Sequence, residues 1–337
     1  MRDVKKVLVL LTGGTLLMSS SHDGRYSLEQ AFARDLVAEV PALARIAELD
    51  ARLVFAMDSA NMQPGDWQVL AREVHAAVAS GSYDGVVVVH GTDTMAYSAS
   101  ALALMLGPLP CPVVFTGAQR PLAEARSDAA QNLVDAAIVA SLAVPEVVVA
   151  FGSRGLRGCR ATKRDAWDYD AFDSPNEAPL VKLGIGVEVA SHVRAAGPLM
   201  PLDDRLEPSV LAVRVFPGLD PRLVTGAVRA GVRGLVLEAY GTGTLPCADG
   251  SLIPAIREAT SRDVPVVVVS QCLRGHVDLT RYEGAVRTAE AGAMSGFDMT
   301  VEAAIAKLMI GLGRFGTGPA LRAYFSESVV GELRGES

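Results

Sequence analysis

Cysteine is scarce in this sequence, and histidine follows no useful pattern. Cys111, Cys159, Cys247 and Cys272 lie far apart, and no two form a CxxC pair. A chain of 337 residues is long enough to bury a core without crosslinks, so this cysteine usage fits a reducing compartment. His22, His75, His90, His192 and His276 form no HExxH or similar cluster, so no metal site is expected. Basic charge is short as well, with 31 Lys and Arg against 38 Asp and Glu and a net charge of −7. That balance supplies no long-range attraction for nucleic acid or an anionic membrane. No GxxxxGK[ST] is present, no GxGxxG follows the first strand, and Gly241-Thr242-Gly243 lacks the third glycine of a nucleotide loop. Long apolar runs are missing too. The longest, Ala99 to Phe115, is interrupted by Gly107, Pro108, Pro110 and Pro112, and cannot span a membrane. The charged start and Val7 to Leu11 imitate a signal peptide, but Thr12-Gly13-Gly14-Thr15 ends the run after five apolar residues. It reads as a first β-strand, and the expected location is cytoplasmic.

What the chain does have is hydrophobic mass, 50% of its residues, enough for two cores. Short β-branched runs recur at Val7–Leu11, Leu53–Met57, Val86–Val89, Val113–Phe115, Val147–Phe151, Leu235–Leu237 and Val266–Val269. They lack polar alternation, which fits strands buried on both faces of a parallel sheet. Helical patterns lie between and after them, at Asp66–Ala79, Thr94–Leu106, Ser127–Ser141 (with Ser127 as N-cap) and Thr300–Leu312. The expected class is α/β: a larger N-terminal domain with a mostly parallel sheet flanked by helices, plus a smaller C-terminal α/β domain. Five prolines between Ser191 and Pro221 break the alternation. The expected division is therefore 1–190, a linker over 191–220, and 221–337.

Each strand runs straight into glycine and small polar residues. The clusters in the first half are TGGT, DSANM, HGTDTM, TGAQRP and GSRG; EAYGTGT and SQCLRG follow in the second. Parallel strands bring their carboxyl ends to one edge, where α/β proteins bind ligands. Thr12, Thr15, Ser59, Thr92 and Thr94 all fall at these ends, beside Asp93, with Lys163 in a polar segment after a strand. A threonine hydroxyl is a nucleophile only with a base beside it, and a lysine can serve as that base. The same residues also suit plain structural work: helix capping, acceptance of backbone N–H groups and a surface ion pair. Spacing alone does not decide between the two. His90 reads as a buried, hydrogen-bonded residue, Cys272 as a core residue, and Trp67 and Trp167 as packing.

Several segments, in order along nearly the whole chain, tip the balance. TGGT at 12–15, HGTDTMAYSASAL at 90–102, TGAQRPL with RSDAAQNL between 116 and 133, ATKRDAWDYDAFDSPN at 161–176 and FDMTVEAAIAKLM at 297–309 resemble the bacterial-type L-asparaginase family, most closely its cytoplasmic type I branch. The resemblance implies hydrolysis of L-asparagine to L-aspartate and ammonia through a threonyl acyl-enzyme. It implies Thr15 as nucleophile, Tyr26 on a closing loop that helps activate it, and Thr92, Asp93 and Lys163 as a second set with Lys163 as base. Backbone N–H groups around Thr92 and Ala118 would face the oxyanion, while Asp93 and Ser59 hold the α-amino and α-carboxylate groups. Gly14, Ala60 and Gly91 complete the implied substrate site. No cofactor is implied; the partners are a small amide substrate and further copies of the chain, in a homodimer or homotetramer.

Departures from the family pattern bear on specificity. Ala60 stands where relatives place Ser or Gln, so a polar substrate contact is missing. Glu238 stands where type I enzymes with an asparagine effector site have Arg, and an acid there would repel the effector's carboxylate. Three alternatives remain open. One is the same chemistry on L-Gln, D-Asn or a modified or peptidyl Asn. Another is the ammonia-generating subunit of a transfer-RNA amidotransferase, and the third is a non-catalytic amino-acid-binding sensor.

Overall fold

The computed structural model describes residues 4–14, 18–20, 26–28, 36–248 and 250–334, and it divides into two compact units between Asp204 and Arg205. The first unit contains, in chain order, β1 (Lys6–Gly13), β2 (Met18–Ser20), β3 (Tyr26–Leu28), α1 (Leu36–Glu39), β4 (Glu48–Met57), α2 (Pro64–Ala79), β5 (Gly85–Val89), α3 (Met95–Leu106), β6 (Val113–Thr116), α4 (Ala129–Ala140), β7 (Val147–Phe151), β8 (Arg154–Arg157), β9 (Thr162–Lys163), β10 (Phe172–Asp173), β11 (Val181–Leu183) and β12 (Val187–Val189). Eight of these strands form one sheet in the order β12-β11-β8-β7-β6-β5-β1-β4. The five from β7 to β4 are parallel, with Val9 opposite Ala51 and Val87, and Val88 opposite Phe115.

The β-branched runs make this sheet because both of its faces are covered. Val7, Val9, Leu11, Val87, Val89, Val114 and Val148 share one face with Leu133, Ala136, Ala137 and Ala140 of α4. The alternate residues of each strand point to the other face, where α2 and α3 pack against β5, β6 and β7. Every residue of β5, β6 and β7 is buried. The expectation of burial on both faces fails at Leu53–Met57. That run lies in β4, which is the sheet's edge, and Leu53 is exposed.

The other end of the sheet turns antiparallel through β8, β11 and β12. β9 and β10 form a separate hairpin in which Phe172 opposes Lys163. Trp167 sits in the loop of that hairpin and is 96% exposed, so it does not pack as expected. Asp165 folds the loop tightly by accepting the N–H groups of Trp167 and Asp168, leaving the indole outside.

The second unit holds β13 (Val210–Arg214), α5 (Pro221–Arg229), β14 (Gly234–Ala239), α6 (Ile253–Ser261), β15 (Val266–Ser270), α7 (Glu283–Glu290), β16 (Met294–Ser295), α8 (Val301–Phe315) and α9 (Pro319–Ser326). Its four strands are parallel and sequential. α5 and α6 supply Val224, Val228, Ile256 and Ala259 to a core with Leu235, Leu237, Val266 and Val268. The Thr300 hydroxyl caps α8 by accepting from Ala303 N at 3.2 Å. The expected linker over 191–220 is therefore not all linker: Val210–Arg214 is the edge strand of this sheet, with Leu211 and Val213 packed on its core. Prolines on either side, Pro208 and Pro217, had masked the strand. Cys272, expected in a core, is exposed in the loop that follows β15.

Candidate active site

Parallel pairing carries the loops after β1, β4, β5, β6 and β7 to one edge of the large sheet. Three of these loops meet through groups with no room between them. Gly13 and Gly14 take left-handed φ values of 106° and 88°, and Gly14 N donates to Met57 O at 3.2 Å. A β-carbon on Gly14 would lie 2.5 Å from the Cα of Gly91, and one on Gly91 would lie 2.4 Å from Ser59 Oγ. Ser59 opens a short helical turn capped by Asp58, whose carboxylate accepts from Ala60 N at 3.0 Å. The Thr94 hydroxyl donates to Ser59 O at 2.8 Å instead of capping its own helix. Ser59 is buried, while Ala60 beside it is exposed.

The next residues of the β5 loop meet the β9–β10 hairpin. Lys163 Nζ donates to Thr92 Oγ1 at 2.8 Å and lies 2.6 Å from Asp93 Oδ1. Thr92 is 6% exposed, whereas the side chains of Lys163 and Asp93 are 19% and 63% exposed. The set is therefore buried at its hydroxyl and open at its carboxylate, where solvent or a charged ligand can reach. Arg154 braces the hairpin by donating to Phe172 O at 2.9 Å and pairing with Asp170 and Asp173.

The Thr92 hydroxyl has a second partner, Gln119, whose Oε1 accepts from it at 3.2 Å. Gln119 lies in the loop after β6, beside the buried Ala118. Asp128 holds that loop by accepting the N–H groups of Gln119 and Arg120 at 3.0–3.1 Å and the amide of Asn132 at 2.9 Å. Asn132 also donates to Gly117 O at 3.0 Å. Neither Gln119 nor Asp128 stood out in the sequence as more than motif letters. A side chain nine residues away that binds backbone N–H groups leaves no periodic trace.

His90 is fully buried at the end of β5, with Nδ1 2.8 Å from Gly91 O, so Nδ1 carries the proton. Burial pushes its pKa down to about 4, against a smaller upward pull from the Gly91 carbonyl. Thr15 lies outside the described residues; of Tyr26 the backbone is described, in β3, and the side chain is not. The structure thus brings together Gly14, Ser59, Gly91, Thr92, Asp93 and Lys163, with Ala118 at the buried base of the Gln119 loop.

A buried hydroxyl touching a lysine amine that touches a carboxylate, ringed by glycine backbone, is the equipment of a hydroxyl-dependent hydrolase on an α/β scaffold. The family model "Asparaginase, N-terminal" matches residues 6–195, and "Glutaminase/Asparaginase C-terminal domain" matches residues 209–325. The L-asparaginase of Thermococcus kodakarensis is 37% identical over 98% of this chain and 99% of its own length. L-asparaginase 1 of Escherichia coli K12 is also 37% identical, over 98% of each. The crystal structure of L-asparaginase I from Vibrio cholerae superposes with a TM-score of 0.88 at 33% identity, covering 98% of this chain and all of that one. The chain belongs to the asparaginase family. Among the described residues, no helix is long and apolar enough to cross a membrane.

Proposed function

We propose that this chain hydrolyses L-asparagine to L-aspartate and ammonia through a threonyl acyl-enzyme. The observation that carries the reading is the contact of Lys163 Nζ with both Thr92 Oγ1 and Asp93 Oδ1. In this reading Thr15 Oγ attacks the side-chain carboxamide carbon, its proton passes by way of Tyr26 to the amide nitrogen, and ammonia departs as the tetrahedral intermediate collapses to an ester. Lys163 then takes a proton from a water held at Thr92, and the water oxygen attacks the ester carbonyl. As the bond to Thr15 Oγ breaks, that proton passes to the threonine oxygen, restoring Thr15 and freeing the β-carboxyl group, which ionises. Backbone N–H groups at Thr92 and Ala118 stabilise the negative oxygen, a contribution of roughly 2.7–4 kcal/mol per donor in comparable sites. Asp93, open to solvent, pairs with the substrate's α-ammonium, and Ser59 holds its α-carboxylate. Gly14 and Gly91 let the surrounding backbones approach closely enough to form these contacts.

Ala60 bears on which amide is preferred. It presents a methyl group where a polar side chain would reach the substrate, and its own N–H is already taken by Asp58. Discrimination against substrates altered at the α-amino group is accordingly relaxed. Sparse, widely spaced cysteines support a cytoplasmic location, which activity in the soluble fraction of fractionated cells would check. Homodimer or homotetramer assembly belongs to the same proposal, and sedimentation velocity tests it.

The deciding experiment is ammonia release from L-Asn, L-Gln, D-Asn and N-acetyl-Asn. Preference for L-Asn supports the reading, with measurable turnover of N-acetyl-Asn as the mark of Ala60. Preference for L-Gln or D-Asn moves the assignment to that amide, and binding of L-Asn without turnover of any of the four makes the chain a sensor.

A further inference from the structure

We infer that Gln119 is a positioning residue for the proposed hydrolysis, a strut that fixes the Thr92 hydroxyl relative to the hairpin carrying Lys163. The inference rests on the functional reading above. It begins with the orientation of one amide. Gln119 Nε2 lies 3.1 Å from the backbone oxygen of Asp168. A carbonyl oxygen can only accept, so the nitrogen of the amide must face Asp168 and the oxygen must face Thr92.

That assignment settles the hydroxyl. Thr92 Oγ1 donates its hydrogen to Gln119 Oε1 and offers a lone pair to Lys163 Nζ, which donates at 2.8 Å. The hydroxyl therefore has one defined rotor position instead of three. Gln119 consequently acts on both ends of the Thr92–Lys163 contact. One end is the hydroxyl itself. The other is the loop over 164–171, which contains Asp168 and joins β9, where Lys163 sits, to β10.

The strut has a rigid base. Its backbone N–H is bound by both oxygens of the buried Asp128, at the head of α4. Asn132, one turn into that helix, holds both Asp128 and Gly117 O. Gln119 thus carries the position of α4 to two partners, a catalytic hydroxyl and a catalytic hairpin. Neither contact involves Asp93, the proposed partner of the α-ammonium, so its loss should appear in turnover more than in affinity.

The test compares wild type, Gln119→Met and Gln119→Glu in steady-state hydrolysis of L-Asn, with melting temperature as the check on folding. Met keeps the length and volume but has neither hydrogen bond; Glu keeps the acceptor toward Thr92 and loses the donor toward Asp168 O. The expected result is a fall in kcat of about tenfold for Gln119→Met, roughly 1.4 kcal/mol of barrier, with KM within twofold of wild type. Gln119→Glu should recover part of that loss, and the melting temperatures of all three should agree. A kcat for Gln119→Met within twofold of wild type overturns the proposal, as does a loss expressed mainly in KM or in melting temperature. Equal kcat losses in the two variants also overturn it. An inactive wild-type protein would instead overturn the functional reading, so the two failures are distinct.

Discussion

Gly14 and Gly91 approach so closely that a single methyl group on Gly14 would lie 2.5 Å from both the Cα and the N of Gly91. Gly14 directly follows β1 and Gly91 lies in the loop that follows β5, so their contact fixes the distance between the end of the first strand and the loop carrying Thr92. Gly14→Ala meets backbone atoms that cannot swing aside, at a φ of 88° that disfavours any side chain. It should cost on the order of 3 kcal/mol of stability. Gly91→Ala meets Ser59 Oγ and Cβ at 2.4 and 2.7 Å, but its φ is not left-handed and the nearest backbone atom, Gly14 Cα, is 3.2 Å away, so it should cost less. Urea denaturation of the two variants ranks them, and the reverse order would contradict this packing.

Lys163→Met removes the amine while filling the same space. Loss of a positioned base, the role proposed for Lys163, costs typically ~10²–10⁴ in rate, so kcat for L-Asn should fall within that range while the chain stays folded. The circular dichroism spectrum and kcat together check this. A variant within tenfold of wild type would mean that Lys163 only bridges two loops.

His90 makes stability depend on pH. Its imidazole has a pKa of about 4 when folded and an ordinary value of 6.5 when exposed, so the unfolded chain binds the proton more tightly. Its neutral form is therefore fully compatible with the fold above pH ~6.5. As pH falls toward 4, the penalty grows to on the order of 3 kcal/mol. Unfolding free energies measured between pH 7 and 4 should fall more steeply for wild type than for His90→Gln, which keeps a donor for Gly91 O but does not titrate. Parallel curves would contradict the assignment.

In the second unit, Lys307 and Glu332 form an ion pair at 2.6 Å with both side chains fully buried. Burial alone would push the Glu332 carboxyl up. The Lys307 charge and the N–H groups of Val329 and Val330 outweigh it and hold the pKa below the usual glutamate range. Lys307→Met leaves that carboxylate buried without its countercharge, at a cost of about 3–5 kcal/mol. Adding Glu332→Gln should return part of the loss. A double-mutant cycle by denaturant unfolding checks it, and additive losses would contradict the coupling.

The parallel core was legible because a strand covered on both faces leaves an unmixed run of valines, as at Val86–Val89 and Val266–Val269. Leu53–Met57 misled for the complementary reason: β4 is an edge strand, and sequence carries no mark of sheet order. β13 was hidden by prolines outside its ends. Trp167 looked like core because tryptophan usually is, whereas its exposure follows from the turn that Asp165 makes. Thr92, Asp93 and Lys163 could be picked out as polar residues at strand ends, and their contact across 70 residues of chain needed the folded hairpin to appear. Gln119 was hidden by its ordinariness, since an amide acts here only through the two groups that the fold sets on either side of it.

The most direct test of the central claim is simultaneous assay of L-aspartate and ammonia from L-asparagine, for wild type and for Thr15→Ala. Hydrolysis through a Thr15 ester predicts equal amounts of both products from wild type and loss of both from the folded variant. Turnover that survives removal of the Thr15 hydroxyl would contradict it.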